Sequence, residues 1–344
     1  MSEPGEPGWA SRALGAVLLI PVALLVVLGA AAPWSPSGWV LLAAGGVAAA
    51  SLVAVGTRLC RALRAAAVAA VALLLLVRLA AGAGMPTLPG GSSSRWLGRI
   101  ADEQDLALLG ARLVVGSWPV VPDERDGLAR EMSTAYAEMR RDAGGSPSPV
   151  LDTLLGRQHP GGFDTLVFEA SRPAPTVGVV FLHGYAGSFR LECWLVAQAA
   201  RAIDALTVCP ATDFHGRWSD RDGERTLRAA LDHLHARGVQ RVYLAGLSNG
   251  AAGAAALAPR VASMLSGLVL ISGAPANGTS ARLPALVIHG DQDRVASVAA
   301  ARAFAARTQA RYVGLDGGHF VLLMRRAQTR DVLARWLRQR EDAR

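Results

Sequence analysis

The most constraining feature of this sequence is a set of three long apolar runs, all before residue 85. They cover residues 14–32, 39–57 and 65–84, and Arg78 is the one charged residue within them. Each run is close to the about 20 residues that a helix needs to cross a bilayer. None has polar residues at the spacing of a soluble amphipathic helix. The sequence therefore predicts three transmembrane helices.

The arginines around these runs predict an orientation. Arg58, Arg61 and Arg64 lie between the second and third runs, whereas the loop at residues 33–38 has no charge. Because positive loops stay in the cytoplasm, everything after residue 85 is expected outside the cytoplasmic membrane. Two alternatives stay open. The first run resembles a cleaved signal peptide, which leaves the later residues outside, and without a third span they would be cytoplasmic.

The composition excludes some other classes of protein. A chain with 51% hydrophobic and 18% charged residues is too apolar for a disordered protein. The net charge of +8 comes entirely from arginine, and no run of five basic residues occurs, so we expect no nucleic-acid partner. Three cysteines form neither a disulfide framework nor a zinc pattern, and nothing suggests a metal or organic cofactor.

The chain after the apolar runs has three expected parts. Residues 85–95 are rich in Pro, Gly and Ser and predict a linker, and residues 96–160 predict a helical extension over 96–141 followed by a break at 144–149. Residues 161–344 alternate short apolar runs with amphipathic helical stretches, which predicts an α/β domain with a mostly parallel sheet. The expected strands are 163–170, 177–183, 206–209, 242–245, 268–272, 286–289 and 311–315.

A serine follows the fourth of these strands in a G-x-S-x-G pattern. Gly246 and Gly250 flank Ser248, and an Ala-rich helical stretch follows. A tight strand-to-helix turn would expose the Ser248 hydroxyl, and side chains two positions to either side would collide in it. The positive end of the next helix would favour developing negative charge. An ordinary glycine-rich turn is the alternative interpretation of this motif.

Other strand ends carry groups that suit acyl transfer. The Gly-containing turn after residue 183 could direct a backbone N–H at a substrate oxygen, and the N–H of Asn249 would be the second donor. His183 itself is interpreted as a structural brace. Asp291 and Asp293 follow another strand, and His319 follows the last one, where an imidazole can reach the serine.

These motifs resemble those of α/β-hydrolases, over about residues 163–340. The shared motifs, in the family's order, are HGYAG at 183–187, GLSNG at 246–250, HGDQD at 289–293 and GGHF at 317–320. The resemblance implies that Ser248 is the nucleophile, His319 the general base and acid, and Asp293, rather than Asp291, the orienting carboxylate. It also implies oxyanion donors at the backbone of Tyr185 and Asn249.

The chain departs from the family pattern in two respects. Residues 273–283 are too few for a lid between the sixth and seventh strands, so the helical extension could cover the site instead. The family's first strand is not evident.

Two further features lie near the expected site. His215 and Trp218, which follow the strand at 206–209, are expected near the site mouth as substrate contacts. Cys193 and Cys209 are expected on one rim, and both a disulfide and two buried thiols stay open.

The resulting functional hypothesis is a membrane-anchored serine hydrolase that cleaves a carboxylic ester or thioester of a small molecule or lipid. A serine peptidase and an acyltransferase are alternatives on the same triad. A third alternative is a catalytically inactive, hydrolase-like scaffold, since a fold does not guarantee an activity.

Overall fold

The computed structural model describes residue 9 and residues 13–17, 19–20, 35–53, 58–80, 85–89, 97–100, 102–145 and 147–343. The chain divides into two compact units. The N-terminal unit comprises Met1–Gly82 and Arg99–Arg112, and the sheet unit comprises Ala83–Gly98 and Leu113–Arg344. The domain boundaries expected at residues 85, 96 and 161 stay predictions.

The N-terminal unit contains two packed apolar helices, α1 (Pro36–Val53) and α2 (Arg58–Ala80). Within the described residues, one stretch is long and apolar enough to cross a membrane, Arg61–Ala80 in α2, whereas Gly38–Ser51 in α1 is shorter. Most of the first expected span lies outside the described residues, although 13–17 and 19–20 are helical. Of the three expected membrane spans, the described residues thus contain one candidate.

Residues 97–105, which follow the apolar helices, form hydrogen bonds with one end of each helix. Ser35, just before α1, donates hydrogen bonds from its N–H and its hydroxyl to the carboxylate of Asp105, at 2.7 and 2.7 Å. Arg99 donates to the carbonyl of Leu79 in the last turn of α2, at 2.9 Å. The start of α1 and the end of α2 therefore lie near each other, as an antiparallel pair requires.

The sheet unit is built on eight strands in the order β1-β2-β4-β3-β5-β6-β7-β8. The pairs β1–β2 and β2–β4 are antiparallel, and the others are parallel. The strands are β1 (Thr87–Leu88), β2 (Phe163–Phe168), β3 (Val177–Leu182), β4 (Leu206–Pro210), β5 (Arg241–Leu247), β6 (Gly267–Ile271), β7 (Ala285–Gly290) and β8 (Arg311–Leu315).

Helices precede and connect these strands. Before β2 come α3 (Leu97–Ile100), α4 (Glu103–Ser117), α5 (Pro122–Ala143) and α6 (Val150–Leu154). The connecting and terminal helices are α7 (Arg190–Ala200), α8 (Arg221–Ala236), α9 (Asn249–Val261), α10 (Val298–Thr308), α11 (Val321–Met324) and α12 (Arg326–Asp342). Short 3₁₀ turns, Arg201–Ile203 and Ala262–Met264, extend α7 and α9.

Both faces of the sheet are covered, which explains why its central strands are buried along their whole length. One face packs Leu244 and its neighbours against α8, α9 and α10 in a single apolar core. Tyr243 points the opposite way, as alternation along a strand requires, and its ring meets Trp336 of α12 at 5.8 Å between centroids. This double cover leaves the carboxyl ends of the parallel strands available for a site.

All seven expected strands are present, with ends within two residues of the predicted ones. One expectation is corrected: a first strand, which was not evident from the sequence, exists as the two-residue edge strand β1 within the expected linker. The helical stretch expected over 96–141 contains α3, α4 and α5, and it breaks after Ser117, because Pro119 and Pro122 each lack the N–H that a helix interior needs. The segment 273–283 contains no helix or strand, in agreement with the absence of a lid there.

Cys193 of α7 and Cys209 of β4 form a disulfide, with their Cα atoms 6.1 Å apart. Both side chains are fully buried. The bond joins the helix after the HGYAG loop to the neighbouring strand. Of the two possibilities left open by the sequence, the structure has the disulfide.

Candidate active site

Ser248 lies in a sharp turn between β5 and α9. Its backbone is strained, with φ 52° and ψ −117°, a conformation that non-glycine residues rarely adopt. A Cβ on Gly246 would collide with the carbonyl of Gly250, and one on Gly250 with the carbonyl of Leu182. Both glycines of the motif are therefore required by close backbone approach, as the sequence predicted. The turn leaves the Ser248 side chain partly exposed.

The loops after β7 and β8 bring an acid and an imidazole to this turn. They are joined by backbone hydrogen bonds, from Asp291 N–H to Leu315 O and from Gln292 N–H to Gly317 O, both 2.9 Å. Asp293 lies on the first loop and His319 on the second. Their side chains are almost fully buried, so their hydrogen bonds are shielded from water.

A chain of hydrogen bonds connects the three side chains. His319 Nδ1 lies 2.8 Å from Asp293 Oδ2, and His319 Nε2 lies 3.1 Å from Ser248 Oγ. Because Nδ1 faces a carboxylate, it carries the hydrogen and leaves Nε2 to accept from the serine hydroxyl. Asp291, the competing acid, instead lies at the surface, 41% exposed, and pairs with Arg302 at 2.9 Å. The structure thus brings together Ser248, His319 and Asp293, and it leaves Asp291 outside.

A second histidine lies behind the acid. His289 Nε2 is 3.2 Å from Asp293 Oδ2 and 3.3 Å from the carbonyl of Ala296, so it must donate to these acceptors. His289 is fully buried, and its Nδ1 has no hydrogen-bond partner among the described residues. Sequence reasoning assigned this residue no role beyond the end of a strand, although the HGDQD motif contains it.

The surroundings of Asp293 favour its charged form. Burial alone would raise the pKa of this carboxyl, but hydrogen bonds from His289 and His319 outweigh burial and hold the pKa well below its usual value. The other oxygen accepts from the backbone N–H groups of Val295 and Ala296, at 2.8 and 2.8 Å. A carboxylate in this state can orient an imidazole and stabilise an imidazolium.

The two expected oxyanion donors flank the serine. Asn249 is the first residue of α9, so its N–H has no carbonyl partner within that helix. Tyr185 lies in the loop after β3, and a Cβ on Gly184 of that loop would lie 3.2 Å from Ser248 Cβ. The next N–H, of Ala186, is already bonded to the Phe214 carbonyl at 2.8 Å. The roles of Tyr185 and Asn249 stay predictions, on residues that the fold places at the serine.

His183 is a brace, as expected. Its Nδ1 donates to the Gly184 carbonyl at 2.8 Å, and its Nε2 accepts from the Thr212 N–H at 3.1 Å. Burial lowers the pKa of His183 to about 4, so the ring is neutral at physiological pH. It therefore fixes the loop that carries Tyr185.

Trp218 does not lie at the site mouth, which corrects the expectation of a substrate contact. It is 1% exposed, packs against α9 at Gly253, and donates its indole N–H to the His183 carbonyl at 3.0 Å. A buried indole N–H usually keeps a hydrogen-bond partner, so Trp218 is fixed in this position. His215 is exposed, and its carbonyl accepts from the Asn249 amide at 2.8 Å. Contact of His215 with a substrate stays a prediction.

The helical extension contributes two side chains that the sequence did not single out. Trp118, at the end of α4, lies with its ring 5.8 Å from Tyr185 and 6.2 Å from His319, between centroids. Glu124 of α5 is buried, and its carboxylate accepts from the Phe320 N–H at 2.6 Å. The SWPVVP stretch between the helices, which interrupts a helical pattern, was the one local signal of unusual structure there.

A cavity of about 400 Å³ opens beside Ser248. Trp118 and Tyr185 line one part of it, next to His319 and Asn249. The remainder of its wall is made mostly of small or apolar residues, including Ala252, Gly273, Ala274, Pro275, Val295 and Ala300. None of the described residues that line it carries a carboxylate or a guanidinium group. The cavity therefore fits an uncharged group.

No protein-family profile and no curated protein matches this chain. Several solved structures are similar to it. The esterase Est1E from Butyrivibrio proteoclasticus, with ferulic acid bound, is 14% identical, with 53% of this chain and 96% of that chain covered and a TM-score of 0.45. An α/β serine hydrolase without lid from Xanthomonas campestris is 22% identical, with coverage of 52% and 89% and a TM-score of 0.43.

The enol-lactonase from Burkholderia xenovorans is 17% identical, with 51% of this chain and 96% of that chain covered and a TM-score of 0.41. This chain's own architecture is a mostly parallel, doubly covered sheet with a strained serine at the turn from β5 to α9. That architecture is an α/β-hydrolase-like fold.

Proposed function

We propose that the sheet unit is a serine hydrolase that cleaves a carboxylic ester or thioester. The observation that carries the proposal is the chain of hydrogen bonds from Ser248 through His319 to Asp293. A serine hydroxyl alone is a weak nucleophile, and an adjacent imidazole oriented by a carboxylate activates it. The strained turn adds support, because strain of this kind clusters at functional sites.

In the acylation step, Ser248 Oγ attacks the substrate carbonyl carbon while its proton passes to His319 Nε2. A C–O bond forms, and the carbonyl oxygen becomes an oxyanion that the backbone N–H groups of Tyr185 and Asn249 would bind. The intermediate collapses as the bond to the leaving oxygen or sulfur breaks. His319 returns its proton to that atom, and an acyl-enzyme remains.

In the deacylation step, water attacks the acyl carbon and gives a proton to His319 Nε2. The bond to Ser248 Oγ then breaks, and His319 returns the proton to the serine. Throughout both steps, Asp293 accepts the hydrogen bond from His319 Nδ1 and stabilises the transient imidazolium. The uncharged wall of the cavity supports a neutral acyl group in the substrate.

The test is labelling of the detergent-solubilised full chain with a fluorophosphonate probe. We expect labelling of the wild type, loss of labelling in Ser248→Ala, and unchanged labelling in Ser263→Ala, an exposed serine beyond the far end of α9. A folded wild-type sample that resists labelling would favour the inactive scaffold instead. For a labelled enzyme, panels of esters, thioesters and peptides, with and without alcohol acceptors, then separate the hydrolase from a peptidase and an acyltransferase.

The proposed location is the outer side of a cytoplasmic membrane. The apolar stretch Arg61–Ala80 supports anchoring, and the arginines at and just before its start, Arg58, Arg61 and Arg64, support the orientation. A buried disulfide is typical of an oxidising compartment. Alkaline phosphatase and green fluorescent protein, each fused after residue 90 and expressed in bacteria, test this topology. Activity of the phosphatase fusion alone is expected, and fluorescence alone would put the sheet unit in the cytoplasm.

A further inference from the structure

Glu124 is a buried carboxylate that the mechanism above does not use. It lies in the first turn of α5 and is 1% exposed. One carboxylate oxygen accepts from the Phe320 N–H at 2.6 Å, and the other from the Val121 N–H at 3.4 Å. The bond to Val121 resembles an ordinary capping interaction. The shorter bond goes to the residue that directly follows His319.

The loop that carries His319 is shaped to receive this carboxylate. A Cβ on Gly318 would collide with the Glu124 carboxylate, so only glycine permits the observed approach. The contact joins two segments 196 residues apart in the chain. Glu124 therefore contacts the backbone on both sides of His319, at Gly318 and at Phe320.

The charge of Glu124 is also close enough to matter. Burial raises the pKa of this carboxyl, hydrogen bonds from Phe320 and Val121 lower it, and attraction to His319 and repulsion from Asp293 both act on it. A further charged group at the His319 loop is Arg325, which donates to the Asp316 carbonyl at 2.7 Å and pairs with Asp123 at 2.7 Å near the surface. Arg130 of α5 is mostly exposed and lies 3.8 Å from Glu131. Both hydrogen bonds to the Glu124 carboxylate come from neutral backbone groups, which do not balance a negative charge. An imidazolium at His319 would attract that charge.

We propose that Glu124 is a positioning residue of the active site, which fixes the His319 loop through the Phe320 N–H and favours the imidazolium that forms when Ser248 loses its proton. The inference rests on the proposed serine hydrolase function. It makes α5 a necessary part of the site, because Glu124 lies on that helix and not on a strand or on a loop that follows one. Glu124 does not contact the imidazole itself, so its effect acts through the loop and through space.

The experiment compares Glu124→Gln, Glu124→Ala and the control Glu131→Gln in the detergent-solubilised full chain. Gln keeps an acceptor for the Phe320 N–H without the charge, whereas Ala removes both. Glu131 lies on the same helix but is partly exposed and pairs with Arg326, which keeps Glu138 as a partner. The rate of fluorophosphonate labelling is measured from pH 5 to 9. Hydrogen exchange of peptides covering residues 316–323 is measured in parallel.

We expect Glu124→Ala to slow labelling by about 10- to 100-fold and to speed exchange in the His319 loop. Glu124→Gln should slow labelling by a few-fold and move the acid limb of the pH profile down by about 0.5–1 unit, with little change in exchange. Glu131→Gln should match the wild type in both measurements.

The proposal is overturned if both Glu124 variants label like Glu131→Gln at every pH, or if exchange in the loop is unchanged in Glu124→Ala. A merely structural role would lower labelling in Glu124→Ala without moving the acid limb in Glu124→Gln, and this outcome also overturns it. Failure of the proposed function is a separate result, because it is the absence of labelling in the folded wild type. If the wild type is not labelled, hydrogen exchange still tests whether Glu124 positions the His319 loop. Unchanged exchange of the loop in Glu124→Ala would overturn that role, and faster exchange would support it.

Discussion

Two buried carboxylates lie beside the loop that carries His319, and they come from different regions of the molecule. Asp293 follows β7 in the parallel sheet, whereas Glu124 lies in the first turn of α5, a helix of the helical extension. Asp293 accepts from two imidazoles and two backbone N–H groups. Glu124 accepts from two backbone N–H groups. The pKa is held below its usual value at Asp293 and is raised by burial at Glu124.

The number and kind of hydrogen-bond donors, rather than burial alone, therefore set the direction in which the pKa of an acid shifts in this site. Desolvation disfavours both carboxylates. At Asp293 four donors overcome it, so that acid is secured as an anion. At Glu124 two neutral donors do not, and a nearby imidazolium would favour its charged form. The loop after β7 thus supplies a carboxyl with a lowered pKa, and α5 supplies one whose pKa is raised and depends on its neighbours.

The largest expected effect comes from neutralising Asp293. Asp293→Asn should slow fluorophosphonate labelling by about 10⁴-fold, because an amide cannot hold His319 in the tautomer that accepts from Ser248. Asp291→Asn is the matched control, and its labelling should stay within about twofold of the wild type, since Asp291 pairs with Arg302 at the surface. Equal losses in the two variants would contradict the assignment of the acid.

A smaller effect is expected from removing the second imidazole. His289→Phe takes away one donor to Asp293 and should slow labelling by about tenfold, by analogy with groups that orient metal-binding side chains. The unpartnered Nδ1 of His289 is lost as well, which limits the cost to folding. His235→Phe, at an exposed position on α8, controls for loss of a histidine. If the two variants label alike, His289 does not support the acid.

The pH dependence of stability should have opposite signs at the two carboxylates. Because the pKa of Asp293 is lowered in the folded state, this carboxylate stabilises the fold at pH values above its ordinary pKa. That stability is lost as the pH falls through the folded-state pKa. A raised pKa at Glu124 contributes stability at low pH that is lost as pH rises through the folded-state pKa. Thermal unfolding of Asp293→Asn, Glu124→Gln and the wild type between pH 2 and 8 measures both, because the contribution of Asp293 begins to fall only below its ordinary pKa of 3.8.

Relative to the wild type, Glu124→Gln should gain stability as pH rises above about 4.5, and Asp293→Asn should lose its disadvantage as the solution becomes acidic. Tm differences that are independent of pH would show that neither carboxyl changes its pKa on folding.

The smallest effect on the site is expected from a change in the scaffold alone. Replacing Cys193 and Cys209 together by Ala should lower the free energy of unfolding by about 3 kcal/mol, given the separation of 16 residues. Labelling of the folded fraction should change by less than about twofold, because neither cysteine contacts either carboxylate. Chemical denaturation and labelling on one preparation test this, and a large loss of labelling would tie the disulfide to the site.

Most of the sheet could be predicted because its signals are local. Each strand is a short buried run bounded by turn residues, and its ends follow from that pattern within two residues. The two-residue strand β1 was missed, because it is too short to carry a periodicity and depends on pairing with β2. The break before α5 could be recognised in retrospect from Pro119 and Pro122, whose effect on a helix is also local.

The candidate site divides in the same way. Local patterns in the sequence were enough to predict the serine at a tight turn, the glycines around it, and the loops that carry His319 and the acid, because a strand-to-helix turn is specified by neighbouring residues. The choice of Asp293 over Asp291 came from the family resemblance, and the structure has Asp293 facing His319. The burial of Trp218 and the approach of Glu124 and Trp118 to the site could be seen only in the folded chain. Those outcomes depend on packing between segments as many as 196 residues apart, for which no local pattern exists.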